Sequence, residues 1–274
     1  MRYWLGLGRL LGVALITIVL TFFVIFILPV LTDRARVRWI KRFAGLCLRL
    51  FGVRFTLKGR APSDLNDRGI VAGRSGYMVC ANHISFLDIF ALESLMPVRF
   101  VAKREIADWP VFGLIAKAVG TLFIDRSRKR AVFEMAEVMQ TRLALGESVL
   151  FFPEGTTGPG DRLLPFHANL FAAGVAAQAR ILPVTVRYVC EGRTSVVPSY
   201  AGQTPMFEVM KRIVRTPGLS VEVSVLDPIE TTGRTRHEVC AEASAAMAAA
   251  LGMIDATAQK AQALAQRLQE RKDA

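Results

Sequence analysis

The chain has 274 residues, 52% of them hydrophobic, and a formal net charge of +12. The hydrophobicity excludes a disordered chain, and the length suffices for one or two domains with a sizeable core. Cys47, Cys80, Cys190 and Cys240 lie too far apart for a disulfide framework or a metal site and read as free thiols, while the excess of 35 Lys and Arg over 23 Asp and Glu asks for an anionic partner, nucleic acid or a membrane surface.

The first element is Leu10–Leu31, 22 residues without a charge. As a helix it would be about 33 Å long, the thickness of a bilayer core. It is too long for a signal-peptide core, and no small-x-small cleavage site follows it. Arg34, Arg36, Arg38, Lys41 and Arg42 come next, against Arg2 and Arg9 before the run. The positive-inside rule then puts the N-terminus outside and the rest of the chain in the cytoplasm, at the inner (cytoplasmic) membrane of the cell. A monotopic hairpin turning at Pro29 and Thr32-Asp33 is the alternative, and hydropathy does not separate the two. Val37, Ile40, Ala44, Cys47 and Phe51 recur at helical spacing. With basic residues on the opposite side, they predict an amphipathic helix on an anionic membrane surface.

After Gly52 short strand-like runs alternate with helical ones. Strands are expected at Val53–Leu57, Tyr77–Ala81, Val98–Ala102, Thr121–Ile124, Val149–Phe152, Ile181–Val186 and Ser220–Leu226. Helices are expected at Phe86–Leu95, Val111–Ala118, Arg130–Leu145, Asn169–Ala177 and Arg236–Leu251, with a frayed helix or tail over Ala256–Ala274. The alternation predicts an α/β fold, a mixed, largely parallel sheet flanked by helices. The N-terminal membrane helix and the amphipathic interfacial helix precede it. Anchoring helices thus take residues 1–52, the α/β domain 53–230, and a C-terminal helix and tail 231–274.

In open α/β sheets, sites lie just beyond the carboxyl ends of strands. Tyr77–Ala81 runs into Asn82-His83-Ile84-Ser85-Phe86-Leu87-Asp88. A carboxylate beside an imidazole fixes its tautomer and stabilises the imidazolium, which suits His83 as a general base and Asp88 as its partner. The same spacing suits a helix start, with Ser85 as N-cap and Asp88 reaching back. The two readings are compatible.

Asn82-His83-x4-Asp88 resembles the signature of the glycerolipid acyltransferase family, whose best-known members acylate 1-acyl-glycerol-3-phosphate. Further blocks resemble the family's in the same order: Gly120-Thr121-Leu122-Phe123-Ile124-Asp125-Arg126, Phe152-Pro153-Glu154-Gly155-Thr156 and Ile181-Leu182-Pro183-Val184. Ala102-Lys103-Arg104-Glu105, with Trp109-Pro110 and Gly113, also fits. The resemblance covers Gly76 to Thr185 and extends loosely to Pro228.

It implies a membrane-bound O-acyltransferase. The acyl group would come from the thioester of coenzyme A or acyl-carrier protein, a co-substrate, with no cofactor. The acceptor would be a lysophospholipid hydroxyl, with 1-acyl-sn-glycerol-3-phosphate giving phosphatidic acid. His83 would take the hydroxyl proton and Asp88 would orient His83. A thioester is already activated, so neither Cys80 nor Ser85 is read as a nucleophile. Arg126 would bind a phosphate, for which a guanidinium is the matching fork, and Lys103 would add charge at the same mouth. Glu154 would hold an acceptor hydroxyl. Gly155 and Thr156 belong to the same substrate-binding loop, where glycine lets the backbone come close.

Two positions depart from the phosphatidate-forming pattern. Thr157 and His167 stand where basic residues are often found. Fewer fixed cations mean weaker recognition of a phosphate dianion. A lyso-ornithine lipid O-acyltransferase of the same family is therefore the alternative. A non-catalytic basic membrane-binding protein is a remoter one. A hydrolase would want a Gly-x-Ser-x-Gly turn, which the sequence lacks. Nucleic acid is not expected, for no aromatic-basic platform is visible. No metal is expected either, since His83, His167 and His237 are far apart.

Overall fold

In the computed structural model the strands are β1 (Arg54–Lys58), β2 (Met78–Ala81), β3 (Arg99–Lys103), β4 (Leu122–Ile124), β5 (Val149–Phe151), β6 (Ile181–Cys190), β7 (Arg193–Thr194) and β8 (Ser220–Val225). The structure describes every residue except Met1, 63–64, 66–75, Pro97, Arg126, Lys129, Gln203 and Ala274. The strands form one sheet in the order β1-β8-β6-β2-β5-β3-β4, with β7 paired to β6. β6, β2, β5, β3 and β4 are mutually parallel. β8 runs antiparallel to β6, and β1 runs parallel to β8. The seven strands read from the sequence are all present. β6 runs on to Cys190, beyond its expected end. β7 spans too few residues for any periodicity to announce it.

The helices are α1 (Arg2–Phe22), α2 (Asp33–Leu50), α3 (Leu87–Leu95), α4 (Phe112–Ala118), α5 (Ala131–Ala144), α6 (Phe171–Ala176), α7 (Met206–Arg215), α8 (Arg236–Leu251) and α9 (Ala256–Asp273). They cover both faces of the sheet. Val79, Ala81, Leu182, Val184, Val186 and Tyr188 face a core shared with α2, α3 and α7. Met78, Cys80, Phe151 and Ile181 face the opposite core, against α5, α6 and α8. This is the period-two alternation of strands, applied to a sheet buried on both sides. Thr235 and Glu238 close a capping box at the start of α8, and Gly252 ends it in the left-handed region at φ 64°. Val239, Ala243 and Met247 of α8 lie in the second core, whereas α9 is largely exposed.

The N-terminal run doubles back. α1 passes through a π-helical turn (Phe23–Ile27) and a 3₁₀ turn (Leu28–Val30) before Thr32 caps α2. Pro29 sits in the 3₁₀ turn, where its missing N–H costs little. Phe23 packs on Trp39 and Phe43, with ring centroids 5.3 and 5.0 Å apart. At the other end, Arg9 Nη1 donates to the carbonyl of Val214 in α7 at 2.8 Å. A Cβ on Gly52 would meet that guanidinium at 2.2 Å. The start of α1 and the end of α2 are therefore both seated on the α/β domain.

Candidate active site

β2 and β5 are parallel neighbours, so the turns that follow them lie side by side. Asn82 leaves β2 with a buried amide. Its Nδ2 donates to the Val186 carbonyl at 2.9 Å, and its Oδ1 accepts the Val186 N–H at 2.7 Å. That pair locks the turn to β6. His83 comes next, its side chain 19% exposed, enough to meet a substrate.

Nδ1 of His83 donates to Oδ2 of Asp88 at 2.8 Å. Asp88 has no exposed surface. The same Oδ2 accepts the N–H groups of Ile84 at 2.6 Å and Ser85 at 2.9 Å. Its Oδ1 accepts the Tyr188 hydroxyl at 2.6 Å. These donors satisfy a carboxylate that burial would otherwise penalise. The compatible readings of Asp88 are realised together: it reaches back to the Ser85 N–H and it holds the imidazole. Ser85 is not the N-cap. That position falls to Phe86, and the Ser85 hydroxyl reaches the Leu87 N–H at 3.4 Å.

One face of the imidazole is covered. The ring of Phe152 lies flat against His83, with centroids 3.9 Å apart and planes inclined by 12°. With Nδ1 engaged by Asp88, Nε2 is the nitrogen left to receive a proton.

Glu154 joins the two turns. Oε1 accepts the His83 N–H at 3.0 Å and Oε2 accepts the Leu164 N–H at 3.2 Å. Burial pushes its carboxyl up to about 7, aided by the Asp88 charge and opposed by the two N–H groups. The acceptor hydroxyl expected there would have to share oxygens already taken by the backbone. Gly158 donates to the His83 carbonyl at 2.6 Å. A Cβ on Gly158 would stand 3.0 Å from Glu154 Oε2, so a side chain there would crowd the link. Gly155 takes φ 73°, a turn that favours glycine. Thr156 is exposed beside it. The hydroxyl of Thr157 donates to the Tyr200 carbonyl, so a position that is often cationic serves here to tie down a loop. His167 is exposed, with its N–H on the Pro153 carbonyl.

Lys103 lies exposed at the carboxyl end of β3, paired in register with Ile124 of β4. It shares that edge of the sheet with His83 and Glu154. Arg126 lies outside the described residues. Asp125 before it is engaged by Ser127, whose N–H and hydroxyl donate to Oδ1 at 3.1 and 2.6 Å. Those bonds, then Arg128 and Arg104, hold the exposed Asp125 carboxyl below its usual range. Cys80 points into the opposite core, where burial pushes its thiol well up, the reverse of what a nucleophile needs. The sequence reading missed two members of the site: Phe152 was quoted without a role, and Tyr188 lay outside the quoted blocks.

The acyltransferase family model matches residues 52–187. The 1-acyl-sn-glycerol-3-phosphate acyltransferase of Neisseria meningitidis is 38% identical over 186 residues, 64% of this chain and 72% of that protein. The lyso-ornithine lipid O-acyltransferase of Pseudomonas aeruginosa is 32% identical over 209 residues, 76% of each. The crystal structure of the 1-acyl-sn-glycerophosphate acyltransferase from Thermotoga maritima superposes with a TM-score of 0.65 over 92% of this chain and 97% of that one, at 21% identity, which shows the shared fold. Identity of 38% across nearly three quarters of a relative goes beyond a common fold, and the chain belongs to the acyltransferase family.

Proposed function

We propose that the enzyme, an O-acyltransferase, moves a fatty acyl group from acyl-coenzyme A or acyl-carrier protein to the free hydroxyl of a lysophospholipid. The acceptor is 1-acyl-sn-glycerol-3-phosphate, and the product is phosphatidic acid. The contact between His83 Nδ1 and a fully buried Asp88 at 2.8 Å carries this reading. Nε2 takes the hydroxyl proton as the acceptor oxygen attacks the thioester carbonyl. The tetrahedral intermediate collapses with loss of the thiolate, which recovers the proton from the imidazolium. Asp88 steadies that cation, and general base catalysis of this kind contributes roughly 10²–10⁴-fold. No acyl-enzyme intervenes, in keeping with the buried, hard-to-ionise Cys80. Lys103 and Arg126 supply positive charge for the acceptor phosphate.

A second acceptor has its own support. Thr157 ties a loop instead of offering a cation, and the lyso-ornithine lipid relative matches a larger share of the chain than the Neisseria one. The deciding experiment offers lysophosphatidate and lyso-ornithine lipid separately to the full chain in vesicles, with each thioester donor. Thiol release that needs lysophosphatidate, and that is lost in His83→Ala, is expected. Release with lyso-ornithine lipid alone reassigns the acceptor, and full activity in His83→Ala discards the base.

The same reading places the protein on the inner membrane with its site toward the cytoplasm. An 18-residue window within Leu7–Val30 has a mean hydropathy of 3.0 and only 6% of it is buried, whereas the core helix of a soluble protein is mostly buried. In this reading the α1–α2 hairpin enters one leaflet and returns, which is supported by both of its ends resting on the α/β domain. Trp109, Phe112 and Leu114 are exposed at α4, which touches α1, and they extend that apolar side.

A further inference from the structure

Tyr188 stands 100 residues from Asp88 in the chain and directly behind it in the fold. It lies on β6 in the core beneath α3, with 1% of its surface exposed. A buried phenol needs a partner for its O–H, and any backbone carbonyl would serve. This one uses the carboxylate that orients the base. Oδ1 of Asp88 takes the Tyr188 O–H at 2.6 Å while Oδ2 takes the His83 Nδ1–H at 2.8 Å. The carboxylate is thus held from both ends, and rotation about its bond to Cβ would break one contact or the other.

We propose that Tyr188 is a positioning residue for acyl transfer, which fixes the plane of the Asp88 carboxylate and sets how strongly that carboxylate stabilises the imidazolium of His83. This rests on His83 being the base. An O–H donated to Oδ1 draws charge away from Oδ2, so it moderates the pairing with His83. Burial first, and the Asp88 charge next, push the Tyr188 phenol well above its ordinary value, so it remains a donor. The other groups that bear on this pair are the Ser85 hydroxyl, hydrogen-bonded to Tyr188, and the Glu154 carboxyl from the turn after β5.

The test is the pH profile of acyl transfer by the full-length enzyme in vesicles. Tyr188→Phe keeps the ring and removes the O–H. It is expected to lower kcat about tenfold, leave KM within about twofold, and move the acid limb of kcat/KM up by about half a pH unit. Replacement of Tyr188 by 3-fluorotyrosine, a stronger donor of nearly the same shape, is expected to move that limb down. This second variant answers the question even if the first folds poorly. An unmoved limb in both variants overturns the proposal, whatever happens to stability. Activity surviving in His83→Ala points instead to failure of the base assignment.

Discussion

The imidazole of His83 rests on the ring of Phe152 at a centroid distance of 3.9 Å, close to parallel. This stacking restricts the ring to the plane in which Nδ1 meets Asp88. A leucine at 152 would fill space without holding a plane. Stacked aromatic pairs are worth about 0.5–1.5 kcal/mol. Phe152→Leu should therefore lower kcat by about threefold to tenfold with little change in KM, and Phe152→Tyr should restore most of it. Steady-state thiol release measures both, and an unchanged kcat in Phe152→Leu would leave the ring without a catalytic part.

Asp88→Asn keeps the shape of the side chain and removes one acceptor. A single amide oxygen cannot serve Tyr188, His83 and the Ile84 and Ser85 N–H groups at once. The imidazole then loses its fixed tautomer. A fall in kcat of about a thousandfold is expected, with binding of the acceptor preserved because Asp88 is buried. Retention of more than about a tenth of the activity would break the link between Asp88 and the base.

Glu154 predicts a slope in stability. Its carboxyl titrates near 4.5 in an unfolded chain and about 7 in the folded one. Between those values the folded state holds more protons than the unfolded state, so stability is highest below about 4.5 and is lost as pH rises to about 7. Glu154→Gln removes that titration. Melting temperatures across this window should fall with rising pH in the wild type and stay flatter in the variant. Equal slopes would show that Glu154 is not the group responsible.

The hairpin predicts which side of the membrane meets the start of α1. Gly8 is exposed, with open space where a side chain would stand. A cysteine introduced there should react with an impermeant maleimide from the same side of the membrane as the α/β domain. Labelling confined to the opposite side would establish a spanning helix.

Much of this was legible in the chain. The strands were legible because a sheet buried on both faces leaves short, continuous apolar runs. His83 and Asp88 were legible because one turn carries both. α7 was less so: it is only ten residues long, buries Val209, Ile213 and Val214, and leaves the equally apolar Phe207 exposed. Tyr188 was hidden for a different reason. Its partner lies 100 residues earlier, on the helix packed over it, and nothing local distinguishes a strand tyrosine that packs from one that also donates to a carboxylate. The link from Glu154 to the His83 N–H was hidden for the same reason, since the two residues stand 71 apart in sequence.

The bond from Arg9 to Val214 joins residues 205 apart. During synthesis α1 is complete long before α7 exists, and closing so long a loop comes late. The apolar α1 can therefore meet its seat on α7 only when the sheet is nearly finished. From then on the anchor is a mount and no longer a tether. If the protein sits on a membrane as proposed, the height and tilt of His83 above the lipid follow from that late contact.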